Sequence, residues 1–322
     1  MNRLAYYRRI IAAYTQPNKS QLSFWHGTPE INVRAPKDRL GEYHMSLRHA
    51  ADYPGPFDDT GVPKLDYRGG IGQQYNPLAT AQYGLAHYNR YRQTGAAHSR
   101  HSFLVQARWL RDTLAPNGQG VPVWSYQFDW EYREPLRAPW YSGLAQGQAV
   151  SALVRAHAET GDPGFLDAAR SALRSFEVPL TEGGIAYRDR DGHLWFEEAI
   201  VDPPTHVLNG FIWASWGLFD FHLHTGDERA GDLFAEAVQT LLAHLPDYDV
   251  GYWSLYELGH RLSMVASTHY HKLHVVQLRV MHRLTGEHTF LDFADRWEAY
   301  LRSRWGRVRS QARKALFKLL YY

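Results

Sequence analysis

The sequence predicts an all-α fold, an (α/α) toroid of about four helical hairpins with a short β-hairpin at its mouth and an irregular N-terminal arm. Three observations predict it. A Thr-Gly turn recurs four times, at Thr94-Gly95, Thr160-Gly161, Thr225-Gly226 and Thr285-Gly286, with spacings of 66, 65 and 60 residues. Each turn separates two segments of helical period. Longer excursions then separate one pair from the next.

The first segments of the pairs cover 77–93, 141–159, 204–224 and 269–284. The second segments cover 102–115, 164–176, 229–245 and 289–305. Glycine at each turn suits a left-handed helix C-cap, and Asp162, Asp227 and Glu287 suit the N-terminus of the helix that follows. A lone hairpin cannot bury its apolar face, so repeated units must stack or close. A closed ring is the first expectation and an open solenoid the second. First segments are rich in small and aromatic residues, which suits an inner ring. Charged second segments suit an outer one.

Residues 184–187 and 193–196 flank the turn 189–192 and read as the β-hairpin, on an excursion where loops carry function. Residues 1–75, rich in Gly, Pro and charge beyond residue 16, read as an arm packed on the barrel. The barrel covers 76–305. Residues 306–322 read as a basic amphipathic helix with Arg307, Arg309, Arg313, Lys314 and Lys318 among apolar residues. Three roles are open to that helix: packing on the ring, peripheral contact with a membrane surface, or attraction of an anionic polymer.

Composition narrows the function. With 35 Lys+Arg against 33 Asp+Glu, the formal charge of +2 argues against a nucleic-acid binder. The absence of Cys excludes disulfides and thiolate metal sites. Arg3, Arg8 and Arg9 interrupt the apolar residues at the start, and the apolar run 207–219 is too short to span a bilayer. A cytoplasmic protein is the expectation. The 21 Tyr and 11 Trp suit a thick helical core first and sugar stacking second.

Candidate site residues fall in a few clusters. Glu197 and Glu198 end the hairpin beside Trp195 and Phe196; they are either a solvated surface pair or a pair in which one acid is made basic. Trp140 and Tyr141 precede Gln146 and Gln148, amides that bond either sugar hydroxyls or neighbouring backbone. Asn209 sits in an apolar run and is costly there unless satisfied. Tyr256, Tyr270, His271 and His274 form a later cluster. His271 and His274 share a helical face, but no third ligand accompanies them, and no metal is expected.

At these residues the chain resembles the C-terminal domain of D-glucuronyl C5-epimerases, which convert glucuronate to iduronate in heparan-type polymers. The resemblance rests on YNPLATAQYGLAHY (75–88), WYSGLAQGQAVS (140–151), WFEE (195–198), VLNGF (207–211), LYELGH (255–260) and YHKLHVVQL (270–278). It covers residues 75 to 302. It implies an (α/α) barrel, an acidic polysaccharide such as heparosan or heparan sulfate as substrate, no cofactor, and a homodimer as an open option. It makes Glu198 the catalytic carboxylate and Tyr256 and Tyr270 catalytic tyrosines. Trp140, Tyr141, Gln146, Gln148, Glu197, Asn209, His260 and His271 then join the substrate site. Ala199 and Gly259 depart from the family, which has a tyrosine and an arginine there. Arg137 and Arg261 are the candidates to replace the lost arginine. Epimerisation needs a base on one face of the sugar and an acid on the other, roles that fall to Glu198 and Tyr270. A polysaccharide lyase, a glycoside hydrolase and a non-catalytic glycan binder are the alternatives.

Overall fold

The computed structural model describes residues 22–25, 27–132, 134–259 and 263–321. Four helical hairpins form the body. The inner helices are α1 (Pro77–Thr94), α3 (Gly143–Thr160), α5 (Leu208–Thr225) and α7 (Thr268–Thr285). Their partners are α2 (Ala97–Thr113), α4 (Pro163–Glu177), α6 (Glu228–His244) and α8 (His288–Arg302). The division follows sequence. Every residue of α5 from Leu208 to Phe221 is buried, whereas α4 and α6 bury one stripe only.

The Thr-Gly turns join inner to outer helices as expected. Gly95, Gly161, Gly226 and Gly286 all have positive φ, 71° to 80°, where a Cβ would be strained. Asp162 and Asp227 cap the next helices by accepting from the backbone N–H groups of Gly164 and Ala230, whereas Glu287 makes no side-chain cap. At the centre α3 and α5 cross in close contact. A Cβ on Gly147 would lie 2.5 Å from Ala214 Cα. Only glycine permits that approach.

Two inner helices start later than their periodicity predicts. Trp140 and Tyr141 are extended and pair with Ser125–Tyr126, so α3 begins at Gly143. Residues 204–207 form a loop, because Glu197 holds His206 at a positive φ of 52°. The β-hairpin pairs Ala186–Arg188 with Leu194–Phe196. The final helix, α9 (Arg304–Tyr321), lies against the rest through Arg309 over the Tyr252 ring and the buried Phe317.

The segment 41–47 passes under the C-terminal ends of the inner helices. Asn89 of α1 accepts from the Tyr43 N–H and donates to the Met45 carbonyl. Arg283 of α7 donates to the carbonyls of Asn32, Val33 and Ala35. In the middle, Arg155 of α3 makes a two-pronged ion pair with Asp220 of α5 at 2.6 and 3.0 Å, and His44 joins Asp220 at 3.1 Å. Arg155 and Asp220 are wholly buried, and the guanidinium lies over the Tyr43 ring. The ring is closed off at this end, leaving its N-terminal end as the mouth. Among the described residues, no helix is long and apolar enough to cross a membrane.

Candidate active site

The mouth is built by the first turns of the inner helices. Two adjoining pockets of about 290 and about 120 Å3 lie there. Asn76 and Leu78, Ser142 and Leu144, Asn209, and Tyr270 reach them from α1, α3, α5 and α7. Trp25, Leu78, Leu144, Glu198 and Tyr270 line both.

Glu198 reaches the cavity because the strand Leu194–Phe196 docks on the start of α3. The Gly143 N–H donates to the Glu197 carbonyl at 2.9 Å, and the Glu197 N–H to the Ile185 carbonyl. The strand ends at Phe196 and the chain bends at Glu198, so Glu197 turns inward to the 205–206 loop and Glu198 toward the mouth. Glu198 lies against Gly210, where an added Cβ would stand 2.2 Å from Glu198 Oε2 and 2.8 Å from its Cβ. Gly210→Ala is expected to push the carboxylate aside, and a displacement near 1 Å costs about 10²-fold in rate. The turnover and the thermal midpoint of this variant, measured together, check it: turnover falls while the fold remains.

Burial pushes the Glu198 carboxyl up to about 8. The Tyr256 hydroxyl, which donates to Glu198 Oε1 at 3.3 Å, pulls the other way, and the charges of Glu257 and Glu197 add to the rise. Burial, with Glu198 beside it, holds the Tyr256 phenol well above its ordinary value. The Tyr256 and Tyr270 rings meet edge to face at 4.9 Å. One cavity thus collects a basic carboxylate and two tyrosines.

An aromatic wall rises beside them. Tyr126 and Trp140 stack at 3.9 Å, and Tyr67, Phe128 and Trp130 pack next to them. The smaller pocket is more polar than its aliphatic lining indicates. Gln82 Nε2, Trp213 Nε1 and Asn209 Oδ1 are buried without a hydrogen bond inside the protein. Neither α3 nor α5 has a side-chain cap at its start. The first N–H of each donates to a backbone carbonyl, that of Gly143 to Glu197 and that of Leu208 to Tyr256, and the positive dipole ends favour an anion at the mouth.

Of the residues expected in the site, Trp140, Glu198, Asn209, Tyr256 and Tyr270 line it. Asn209 also donates weakly to Glu198 Oε2, at 3.5 Å. Others lie elsewhere. Glu197 is wholly buried and accepts from the Thr205 and His206 N–H groups while pairing with His206 Nδ1 at 2.5 Å. It holds a loop rather than facing the cavity. His271 stacks on Trp253 at 3.9 Å and bonds Ser254 and the Trp297 carbonyl, in the wall between α7 and α8. Burial lowers its pKa to about 4, so it stays neutral. His274 also bonds Ser254. Gln146 donates to the Trp124 carbonyl, and Gln148 is buried and lines neither pocket. Tyr141 is half-buried with its hydroxyl at the Gly184 carbonyl, 3.4 Å away. Arg137 is exposed and paired with Asp129. His260 and Arg261 lie outside the described residues.

Gly259 closes the question of the arginine at its own position. A Cβ there would lie 2.7 Å from Thr205 Cα and 2.8 Å from the Pro204 carbonyl. No longer side chain fits unless that loop moves.

Several site residues carried no individual signal in the sequence. Tyr132 donates to the buried Glu257 at 2.5 Å, accepts from the Thr205 hydroxyl at 3.0 Å, and lines the larger pocket. It comes from a segment without period. Trp25 comes from the arm. Gln82 lies within the 75–88 motif, where it is one of several polar residues on the helix and nothing set it apart.

The sequence pattern described as D-glucuronyl C5-epimerase C-terminus matches residues 119–299. An uncharacterized protein of Methanocaldococcus jannaschii is 34% identical over 180 residues, which cover 54% of this chain and 56% of that protein. The D-glucuronyl C5-epimerase of Caenorhabditis elegans is 30% identical over 217 residues, which cover 62% of this chain and 35% of that enzyme. The match therefore spans little more than half of the first relative and about a third of the second. Among solved structures, the chain resembles an unsaturated glucuronyl hydrolase from Bacillus sp. GL1, with 14% identity, a TM-score of 0.47 and coverage of 70% and 62% of the two chains. It also resembles a glycoside hydrolase family 76 mannosidase from Bacteroides thetaiotaomicron, with 12% identity, a TM-score of 0.48 and coverage of 72% and 60%. The family pattern takes in more than half of the 322 residues, and the chain belongs to the D-glucuronyl C5-epimerase family, to whose C-terminal region it corresponds.

Proposed function

We propose that the protein is a uronate C5-epimerase that acts on a glucuronate-containing polysaccharide. The observation that carries this reading is the single cavity shared by Glu198, Tyr256 and Tyr270. Glu198 takes the proton from carbon 5, beside the uronate carboxylate, and Tyr270 delivers a proton to the opposite face. Burial fits Glu198 for the first task. A carboxyl with a pKa near 8 holds an abstracted proton far better than an ordinary one, and general bases work best with a pKa near the working pH. A phenol fits the second, since it is protonated at neutral pH yet yields its proton to a carbanion.

The intermediate concentrates negative charge on the substrate carboxylate. Tyr256, the positive dipole ends of α3 and α5, and the unpartnered donors of Gln82 and Trp213 are the groups available to stabilise it. The aromatic wall supplies stacking faces for neighbouring sugars. After each turnover Glu198 loses its proton to water and Tyr270 regains one, so solvent hydrogen enters the product. No electrons are gained or lost.

The test is incubation with a panel of glucuronate polymers, heparosan and heparan sulfate among them, in deuterated water, followed by proton NMR. Loss of the carbon 5 proton signal together with inverted product is expected. An unsaturated product absorbing in the ultraviolet would make the protein a lyase, new reducing ends a hydrolase, and binding without exchange a glycan-binding relative.

A further inference from the structure

A second cluster of chemically capable side chains lies outside the mouth, where the β-hairpin turn meets the end of α6. Asp189 and His193 stand at either end of the turn, and His244 is the last residue of α6. His193 Nδ1 and His244 Nε2 are 3.0 Å apart. Asp189 Oδ2 is 3.2 Å from His244 Nε2 and 3.5 Å from His193 Nδ1. We propose that these three side chains form a binding site for a divalent transition-metal ion of the zinc type.

The argument is geometric. Three ligands of a tetrahedral zinc ion, each about 2.0 Å from the metal, stand about 3.3 Å from one another. The three donor atoms here form a triangle with edges of 3.0, 3.2 and 3.5 Å. It is the face of such a tetrahedron. Two imidazoles and one carboxylate are also the ligand chemistry that zinc and its neighbours favour over magnesium or calcium.

The surroundings are those of a ligand set. Asp247 Oδ2 lies 2.9 Å from His244 Nδ1. A proton held between those two atoms leaves the His244 Nε2 lone pair facing the other donors. Asp189 Oδ1 accepts from the N–H groups of Asp191 and His193, and Oδ2, which accepts from the Trp195 indole N–H at 3.0 Å, faces the imidazoles with its remaining lone pair. The three side chains are 17–33% exposed, so an ion can enter and water can fill the fourth position. Spacing along the chain hides the site, because 51 residues separate the two histidines.

The ion would tie the hairpin turn to α6. Trp195 lies 5.0 Å from the His244 ring and stacks on His206 at 4.2 Å, and His206 holds Glu197, the neighbour of Glu198. The site braces the strand that presents Glu198, and it stands whether or not the protein is an epimerase.

The test uses the full chain without a histidine tag, stripped with a chelator and titrated with Zn2+ against a chromophoric competitor. One Zn2+ per chain and a higher thermal midpoint are expected. Both should vanish in His193→Gln and in His244→Gln, while Asp247→Asn should weaken binding roughly 10–100-fold. Because a variant can fail to fold, Co2+ is also added to the unmodified protein, where intense visible absorption of a four-coordinate ion is expected. A pale six-coordinate spectrum, no uptake at micromolar Zn2+, or equal stoichiometry in the His193→Gln/His244→Gln double variant would overturn the site.

Discussion

Glu198→Gln is expected to abolish exchange of the carbon 5 hydrogen and, in the same protein, to raise heat stability at alkaline pH. The first effect follows from removing the base. Proton transfer by a placed group contributes roughly 10²–10⁴-fold, so residual exchange below about 1% of the original rate is expected. The second follows from the carboxyl's pKa of about 8 against an ordinary 4.5. Between those two pH values the folded chain keeps a proton that the unfolded chain releases, and stability falls as pH rises through the window. Glutamine has no proton to lose. The thermal midpoints of variant and original should therefore differ by a fixed amount below pH 4.5 and diverge up to about pH 8, then run parallel. Scans at pH 4.5, 6 and 8 decide it: a gap that stays constant means the carboxyl is ionised in the folded protein. Activity of the original protein should rise with pH toward 8, as the basic form fills.

Asp220→Ala should be the most destabilising of the substitutions considered. It leaves Arg155 wholly buried without its counter-charge, and stranding a buried ion costs about 3–5 kcal/mol. The loss is softened by the Gly41 and Ser151 carbonyls, which accept from the same guanidinium, so the lower half of that range is expected. Replacing both partners by apolar residues, Arg155→Met with Asp220→Leu, should recover much of it, because no ion then remains to desolvate. Urea unfolding of the three proteins measures this. A loss under about 1 kcal/mol in Asp220→Ala would mean that water reaches Arg155.

The hairpin architecture was legible because each turn needs a residue at positive φ, and glycine marks such positions in the sequence. Helix starts were less legible. The segments at 141 and 204 continue the helical period, but backbone pairing with Ser125–Tyr126 and the grip of Glu197 on His206 override it. Both determinants lie outside the helices they limit. The motifs located the catalytic candidates and could not tell which of two adjacent acids faces the cavity. That distinction comes from the bend by which the chain leaves the docked strand, and it sends Glu197 to a loop and Glu198 to the mouth. His271 and Gln146 illustrate the opposite limit: polar residues in a motif that serve the wall. Tyr132 and the triad of Asp189, His193 and His244 are assembled by chain segments far apart, and no local pattern announces them.

The stretch from Gly41 to Leu47, with Arg155 and Asp220 locked above it, makes the ring a blind pot rather than a pipe. On the proposed function, a polymer would have to lie across the rim and enter and leave the cavity by that one face.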